Sequence, residues 1–173
     1  MKHRSAIITV VLFVIGVTAG YAKGNKVDSS TFKGKSKQEA AKALLELAKV
    51  QAGKGSWERI AVGRVYYLGG MKAEGQAIFD DVLGRKHDPS DTFRVARIYR
   101  EAGEWAKAKP LFDDYAKQSP KDDKGLAEIG SYYLLNGDRA GAEELFSRSF
   151  GMEAELWNTV SAAGAYLGIA PQE

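Results

Sequence analysis

Few residues in this chain can do acid–base or metal chemistry. It holds two histidines and no cysteine in 173 residues. His3 stands in the cationic start, so His87 is the one imidazole of the remaining chain. A zinc site needs several ligands, and neither a thiolate nor a second histidine accompanies His87. A histidine-based triad would also need a carboxylate positioned to orient the ring, and no pattern around His87 supplies one. His87 reads as a surface residue of a loop. Three adjacent carboxylate pairs, Asp80-Asp81, Asp113-Asp114 and Glu143-Glu144, suggest paired general acid and base. Neighbours on a helix point in different directions, so these pairs do not converge and read as solvated helix faces. "FKGKS" contains the Gly-Lys-Ser of a phosphate loop, but Ser29 occupies the place of the required earlier glycine and no apolar strand precedes it. These readings predict no catalysis, no metal and no cofactor, with binding as the remaining function.

The elements that carry these residues follow from a repeat. "YREAGEWAKAKPLFDDYAKQSP" spaces Tyr99, Gly103, Ala108, Phe112, Tyr115 and Pro120. The corresponding anchors in the preceding stretch are Tyr66, Gly70, Gly75, Phe79 and Val82, and in the following one Tyr133, Gly137, Ala142, Phe146 and Ser149. Val62-Gly63, Val95-Ala96 and Ile129-Gly130 precede each tyrosine in the same register. A period of about 34 residues signals a helix–turn–helix repeat. Val62, Gly63 and Tyr66 share one helical face. Small residues at Gly63, Ala96 and Gly130, and again at Gly75, Ala108 and Ala142, allow close helix crossings. Gly70, Gly103 and Gly137 stop the first helix of each pair, because glycine accepts the left-handed conformation. Phe79, Phe112 and Phe146 fill the space between repeats, and Pro120 prevents the middle repeat's second helix from running on.

These anchors resemble the tetratricopeptide repeat (TPR) family. Three repeats match, at about Ser56–Asp88, Pro89–Asp122 and Asp123–Glu155. The first departs from the family pattern at Gly75, where alanine is usual. The third departs at Ser149 and Ala154, where a larger residue and proline are usual. The aromatic of the early first helix is loosely represented by Trp57, Phe93 and Leu126. "SKQEAAKALLELAKVQAG" adds a flanking helix, with Ser36 and Glu39 at capping-box spacing and Gly53 as a stop. "LWNTVSAAGAYLG", from Leu156, resembles the first helix of a fourth repeat with no second helix. The fold expected is all-α: a TPR-type α-solenoid of about three repeats with a flanking helix at each end.

Charge and the N-terminus set location and partner class. The net charge of +3 is concentrated at the start; from Gln38 onward, 18 basic residues face 21 acidic ones. A nucleic-acid footprint would place a basic stripe on the folded body, so none is expected. Residues 1–22 combine a cationic start, an apolar core from Ala6 to Ala19 and small residues Gly20 and Ala22 before Lys23. This resembles a secretory signal peptide. The rival is an uncleaved membrane anchor in the uncharged run from Ser5 to Ala22. Both readings put the folded part outside the cytoplasm: periplasmic or secreted in a bacterium, or tethered to the inner membrane and facing the periplasm. The expected organisation is a leader at 1–22, a flexible basic linker at 23–35, a helix at 36–54, repeats at 55–155 and a capping helix and tail at 156–173.

The resemblance implies a concave surface lined by the first helix of each repeat, used to bind another protein or peptide. Carried over residue by residue, its exposed positions are Trp57, Arg64 and Tyr67, then Phe93, Arg97 and Arg100, then Lys124 and Ser131. Arginine takes carboxylates through two parallel hydrogen bonds, so the expected ligand is an acidic segment or a C-terminal carboxylate. The opposing expectation is that these arginines pair with Glu58, Glu101 or Glu128 of the solenoid itself. The family's chaperone-binding clamp uses a lysine and an asparagine where this chain has Ile60 and Arg64, so that ligand is not implied. Self-association through the open terminal helix is a further expectation.

Overall fold

The computed structural model describes residues 26–153 and 155–172; the leader expected at 1–22 lies outside them. Among the described residues all regular structure is helical. A 3-10 turn, Ser29–Thr31, precedes α1 (Lys37–Ala52), α2 (Ser56–Leu68), α3 (Lys72–Leu83), α4 (Pro89–Glu101), α5 (Trp105–Gln118), α6 (Asp123–Leu135), α7 (Arg139–Phe150) and α8 (Leu156–Tyr166). The 3-10 turn falls within the stretch expected as a linker, where the Asp28 carboxylate caps it by accepting from the Ser30 amide at 2.8 Å.

The starts of α1, α4, α6 and α7 follow from side chains that satisfy free amides. Ser36 and Glu39 form the reciprocal capping box of α1, at 3.3 and 3.0 Å. Asp88 caps α4 ahead of Pro89, and Asp122 and Asp138 cap α6 and α7. The turn inside each repeat is the same device three times. Gly70, Gly103 and Gly137 hold φ of 88°, 75° and 85°. Around them the amides of Met71, Glu104 and Asp138 donate to the carbonyls of Tyr66, Tyr99 and Tyr133 at 2.9, 2.8 and 3.0 Å. This is the six-to-one bond of a Schellman ending. Pro110 lies inside α5, which continues through it.

α2 packs on α3, α4 on α5 and α6 on α7 as antiparallel pairs, and α8 lies along α6. The pairs stack into a solenoid. Phe79, Phe112 and Phe146 are buried, each between the helices of its own pair and the next element. Aromatic contacts run across the repeat boundaries: Tyr67 meets Tyr99 edge-on with centroids 5.5 Å apart, and Phe112 meets Tyr132 at 5.3 Å. Burying one such ring contributes about 1.5–3 kcal/mol. The core is therefore a chain of aromatic plugs with one set per repeat, and each repeat depends on its neighbours for its burial.

α8 departs from the repeat register. Its stop is Gly168, at φ 80°, where the Ile169 amide donates to the Gly164 carbonyl at 2.8 Å. The position 34 residues after Gly137 is Pro171, so α8 ends about one helical turn early.

Candidate protein-binding groove

The first helices α2 and α4 lie side by side and leave a groove of about 200 Å³ between them. Its lining is Trp57, Ile60, Ala61 and Arg64 from α2, with Arg94, Arg97, Ile98 and Glu101 from α4. Both sets have the spacing i, i+3, i+4, i+7, which places each on a single helical stripe. Ile60 and Ile98 are buried, while Ala61 is open to solvent. Trp57 stands at the mouth with 62% of its surface exposed. The Arg94 guanidinium lies 5.8 Å from the Trp57 ring centre, a distance at which the ring's negative face attracts it. Arg94 also bonds Ser90 Oγ at 3.0 Å and Asp91 Oδ1 at 3.3 Å.

The arginines bridge successive first helices. Arg64 Nε donates to Glu101 Oε2 at 2.8 Å, and its Nη2 donates to Oε1. Arg97 Nε donates to Glu128 Oε1 at 2.6 Å, and its Nη2 donates to Oε2. The two bidentate forks tie α2 to α4 and α4 to α6. The opposing expectation, that Arg64 and Arg97 pair within the solenoid, therefore describes their geometry here, with Glu101 and Glu128 as partners. Glu128 also accepts from the Tyr132 hydroxyl at 2.6 Å.

The residues carried over from the resemblance divide into three groups. Trp57, Arg64 and Arg97 line the groove. Tyr67, Phe93 and Ser131 were expected to be exposed and are instead buried. Tyr67 turns between repeats against Phe79 and Tyr99, and its hydroxyl donates to Glu104. Phe93 turns towards its own repeat's second helix, against Tyr115 and Phe112. Ser131 bonds the Ala127 carbonyl at 3.0 Å, on the helix that α8 covers. The remaining two lie away from the groove. Arg100 stacks over the Tyr132 ring at 4.4 Å, and Lys124 pairs with Glu155 at 2.9 Å. Sequence reasoning missed Ile60, Ala61, Arg94, Ile98 and Glu101 as groove residues. The signal that finds them is the shared i, i+3, i+4, i+7 spacing counted from Trp57 and from Arg94.

The titratable clusters outside the groove are structural in geometry. Glu104 receives Lys107, Lys72 and the Tyr67 hydroxyl, and these, led by Lys107, hold its carboxyl down at about 2. Lys107 is raised by the same contact. Burial pushes the Tyr133 phenol up to about 12, and the Asp113 carboxylate that accepts its proton adds to this. The first two adjacent carboxylate pairs split between partners. Asp80 accepts from Gln76, while Asp81 takes Arg59 and Arg85. Asp113 takes Lys109 and Tyr133, while Asp114 accepts from Gln118. Glu143 takes Arg139 and the Tyr166 hydroxyl.

A wider, open cleft of about 470 Å³ lies at the inter-repeat loops, lined in part by Lys54, Arg59, Arg85, Lys86, His87 and Asp88. His87 sits in its loop with Nδ1 2.8 Å from the Arg85 carbonyl and Nε2 3.0 Å from Thr92 Oγ1, so both ring nitrogens are engaged locally.

A family model described as a tetratricopeptide repeat matches residues 93–122. The match falls on the second helix pair, α4 and α5, and supports a repeat of that family there. Comparison with curated proteins and with solved structures found no significant match. Among the described residues the fold is an all-α solenoid of helix–turn–helix repeats, and the matched repeat suggests a protein–protein interaction module. No described helix is long and apolar enough to cross a membrane.

Proposed function

We propose that this chain is an exported, non-enzymatic adaptor or assembly factor that seats a segment of a partner protein in the α2–α4 groove. The observation that carries this reading is the uncovered aromatic at the groove mouth. Trp57 leaves most of its ring in water above an apolar floor, although a large aromatic gains most when it is covered. The floor suits an aliphatic or aromatic anchor of the partner. The rim of Arg64, Arg94, Arg97 and Glu101 suits a polar flank. An acidic or C-terminal carboxylate on the partner would reach Arg64 or Arg97 by exchanging with Glu101 or Glu128, a like-for-like replacement that gives specificity more than affinity.

Export rests on the leader-like residues 1–22. Retention of the uncharged run from Ser5 to Ala22 would make the protein a membrane-tethered scaffold of a cell-envelope complex. The intact mass of the chain recovered from its envelope separates the two.

The groove is tested by affinity capture from the native envelope with wild type, Trp57→Ala and Ala61→Arg. Both positions are exposed, so neither change disturbs the core. A partner that co-purifies with wild type and is lost with both variants supports the groove. A partner that stays with both variants overturns it. Alanine at Arg64 and Arg97 is a poorer probe, because it also removes the forks that join the repeats.

A further inference from the structure

Among the described residues, the two ends of the solenoid carry the features of the two halves of one repeat. At the C-terminal end, Val160, Ala163, Gly164 and Leu167 follow Leu126, Ile129, Gly130 and Tyr133 by 34 residues each. In the third repeat those four positions are buried, and α7 covers them with the Phe146 ring against Gly130. In α8 the matching stripe is open at Val160, Ala163 and Leu167, and Ile169 folds back over Gly164. Val160 is 51% exposed and Leu167 79%, and Leu156 extends the same stripe at 67%. The sequence of α8, LWNTVSAAGAY, carries no charge. A solenoid cap that meets water normally has a polar outer face.

At the N-terminal end of the described residues, α1 has the features of a second helix, and no first helix precedes it among them. Leu45 packs against Val62 and Tyr66, as the repeat phenylalanines pack against the following first helix. Glu46 accepts from the Tyr66 hydroxyl at 2.7 Å, as Asp113 does from Tyr133. Ala41 stands four residues before Leu45, as Gly75 does before Phe79, Ala108 before Phe112 and Ala142 before Phe146. Those three small residues are buried under their own first helix, whereas Ala41 is open to solvent. Leu44, at the place of Ile78, is 39% exposed.

We infer that α1 of one copy docks on α8 of another, so that the chain assembles head to tail. The occupant is a second copy because the interface needed continues one that the chain already forms three times within itself. α8 supplies the first-helix face and α1 supplies the small residue and the large one four places on. The strips that meet, Ala41, Leu44 and Ala48 against Val160, Ala163 and Leu167, hold no charge, so docking desolvates none. The two faces differ, so the contact is heterologous and the assembly continues beyond a dimer. One helix pair is a small interface, below about 1,200 Å² in the usual scale, so association is weak and grows with concentration.

The test is sedimentation of the purified full chain over a wide concentration range, with Leu44→Glu on α1 and Val160→Glu on α8. Both sites are exposed, and amide exchange of α4–α6 checks that the fold is kept. Wild type is expected to rise in mass past the dimer, and each variant alone to remain a monomer. An equal mixture of the two variants should stop at a one-to-one dimer, because Leu44→Glu keeps its α8 face and Val160→Glu keeps its α1 face. Wild type that is monomeric throughout overturns the inference. So does a dimer abolished by one variant and untouched by the other, which would mean symmetric pairing of one end. Association that survives both variants also overturns it, and would place the contact in the N-terminal segment or the groove.

Discussion

Replacing Gly75 by alanine sets two levels of reasoning against each other. The equivalent positions in the other repeats are Ala108 and Ala142, so the change would make the first repeat resemble its neighbours. Gly75 is inside α3, where alanine is intrinsically favoured by about 1 kcal/mol. Sequence logic therefore expects stabilisation. The packing of α3 on α2 expects the reverse. A Cβ on Gly75 would lie 2.7 Å from the Gly63 carbonyl oxygen and 2.8 Å from both the Tyr67 amide nitrogen and its Cβ. Two of these atoms are α2 backbone, which cannot rotate away, so the helices must separate. Overpacking of this kind costs about 1–3 kcal/mol. It also loosens the contact between Gly63 and the Phe79 ring. With two backbone atoms under 3 Å the cost lies in the upper part of that range, about 2–3 kcal/mol, so after the propensity gain the net expectation is a loss of about 1–2 kcal/mol. For a chain of this size that lowers Tm by about 2–8 °C. Urea and thermal unfolding followed by helical circular dichroism measure it, with Ala108→Gly, which removes a tolerated methyl, as the comparison. A Gly75→Ala protein as stable as wild type, or more stable, would refute the claim that α2 and α3 are in backbone contact.

Two further outcomes follow from the contacts between elements. Glu104 is held at about 2 against its ordinary 4.5, so its contacts stabilise the fold above that ordinary value and are lost as pH falls towards 2. Glu104→Gln should flatten the dependence of the urea midpoint on pH between these values; an unchanged acid slope would show that the Lys107, Lys72 and Tyr67 cluster does not act as described. Asn158 is buried and its amide donates to Asp123 Oδ2 at 2.7 Å. Asn158→Ala should cost about 1–3 kcal/mol in the docking of α8. Hydrogen exchange should then speed up in α8 and leave α2–α5 unchanged, whereas uniform acceleration would show that α8 is integral to the whole array.

The repeat itself is legible in the sequence. The spacing of tyrosine, glycine, small residue and phenylalanine is a local code, because each anchor acts within its own helix pair and the next. The turns at Gly70, Gly103 and Gly137, the box at Ser36 and Glu39 and the stop at Gly53 all follow from backbone requirements of single residues. The sequence also placed Trp57, Arg64 and Arg97 on one surface. Only the tertiary structure decided which side chains that surface keeps. Tyr67 and Phe93 are a small rotation away from the groove stripe, where the packing of the next repeat decides whether a position faces water, and Ser131 holds the repeat place of Arg64 and Arg97 but is covered where α8 lies over α6. The forks from Arg64 to Glu101 and from Arg97 to Glu128 join residues more than thirty positions apart. No periodicity within one helix could choose those partners over others nearby. Gly75 shows the same division: the pattern marked it as a small-residue site, and the distance between two backbones decided how small.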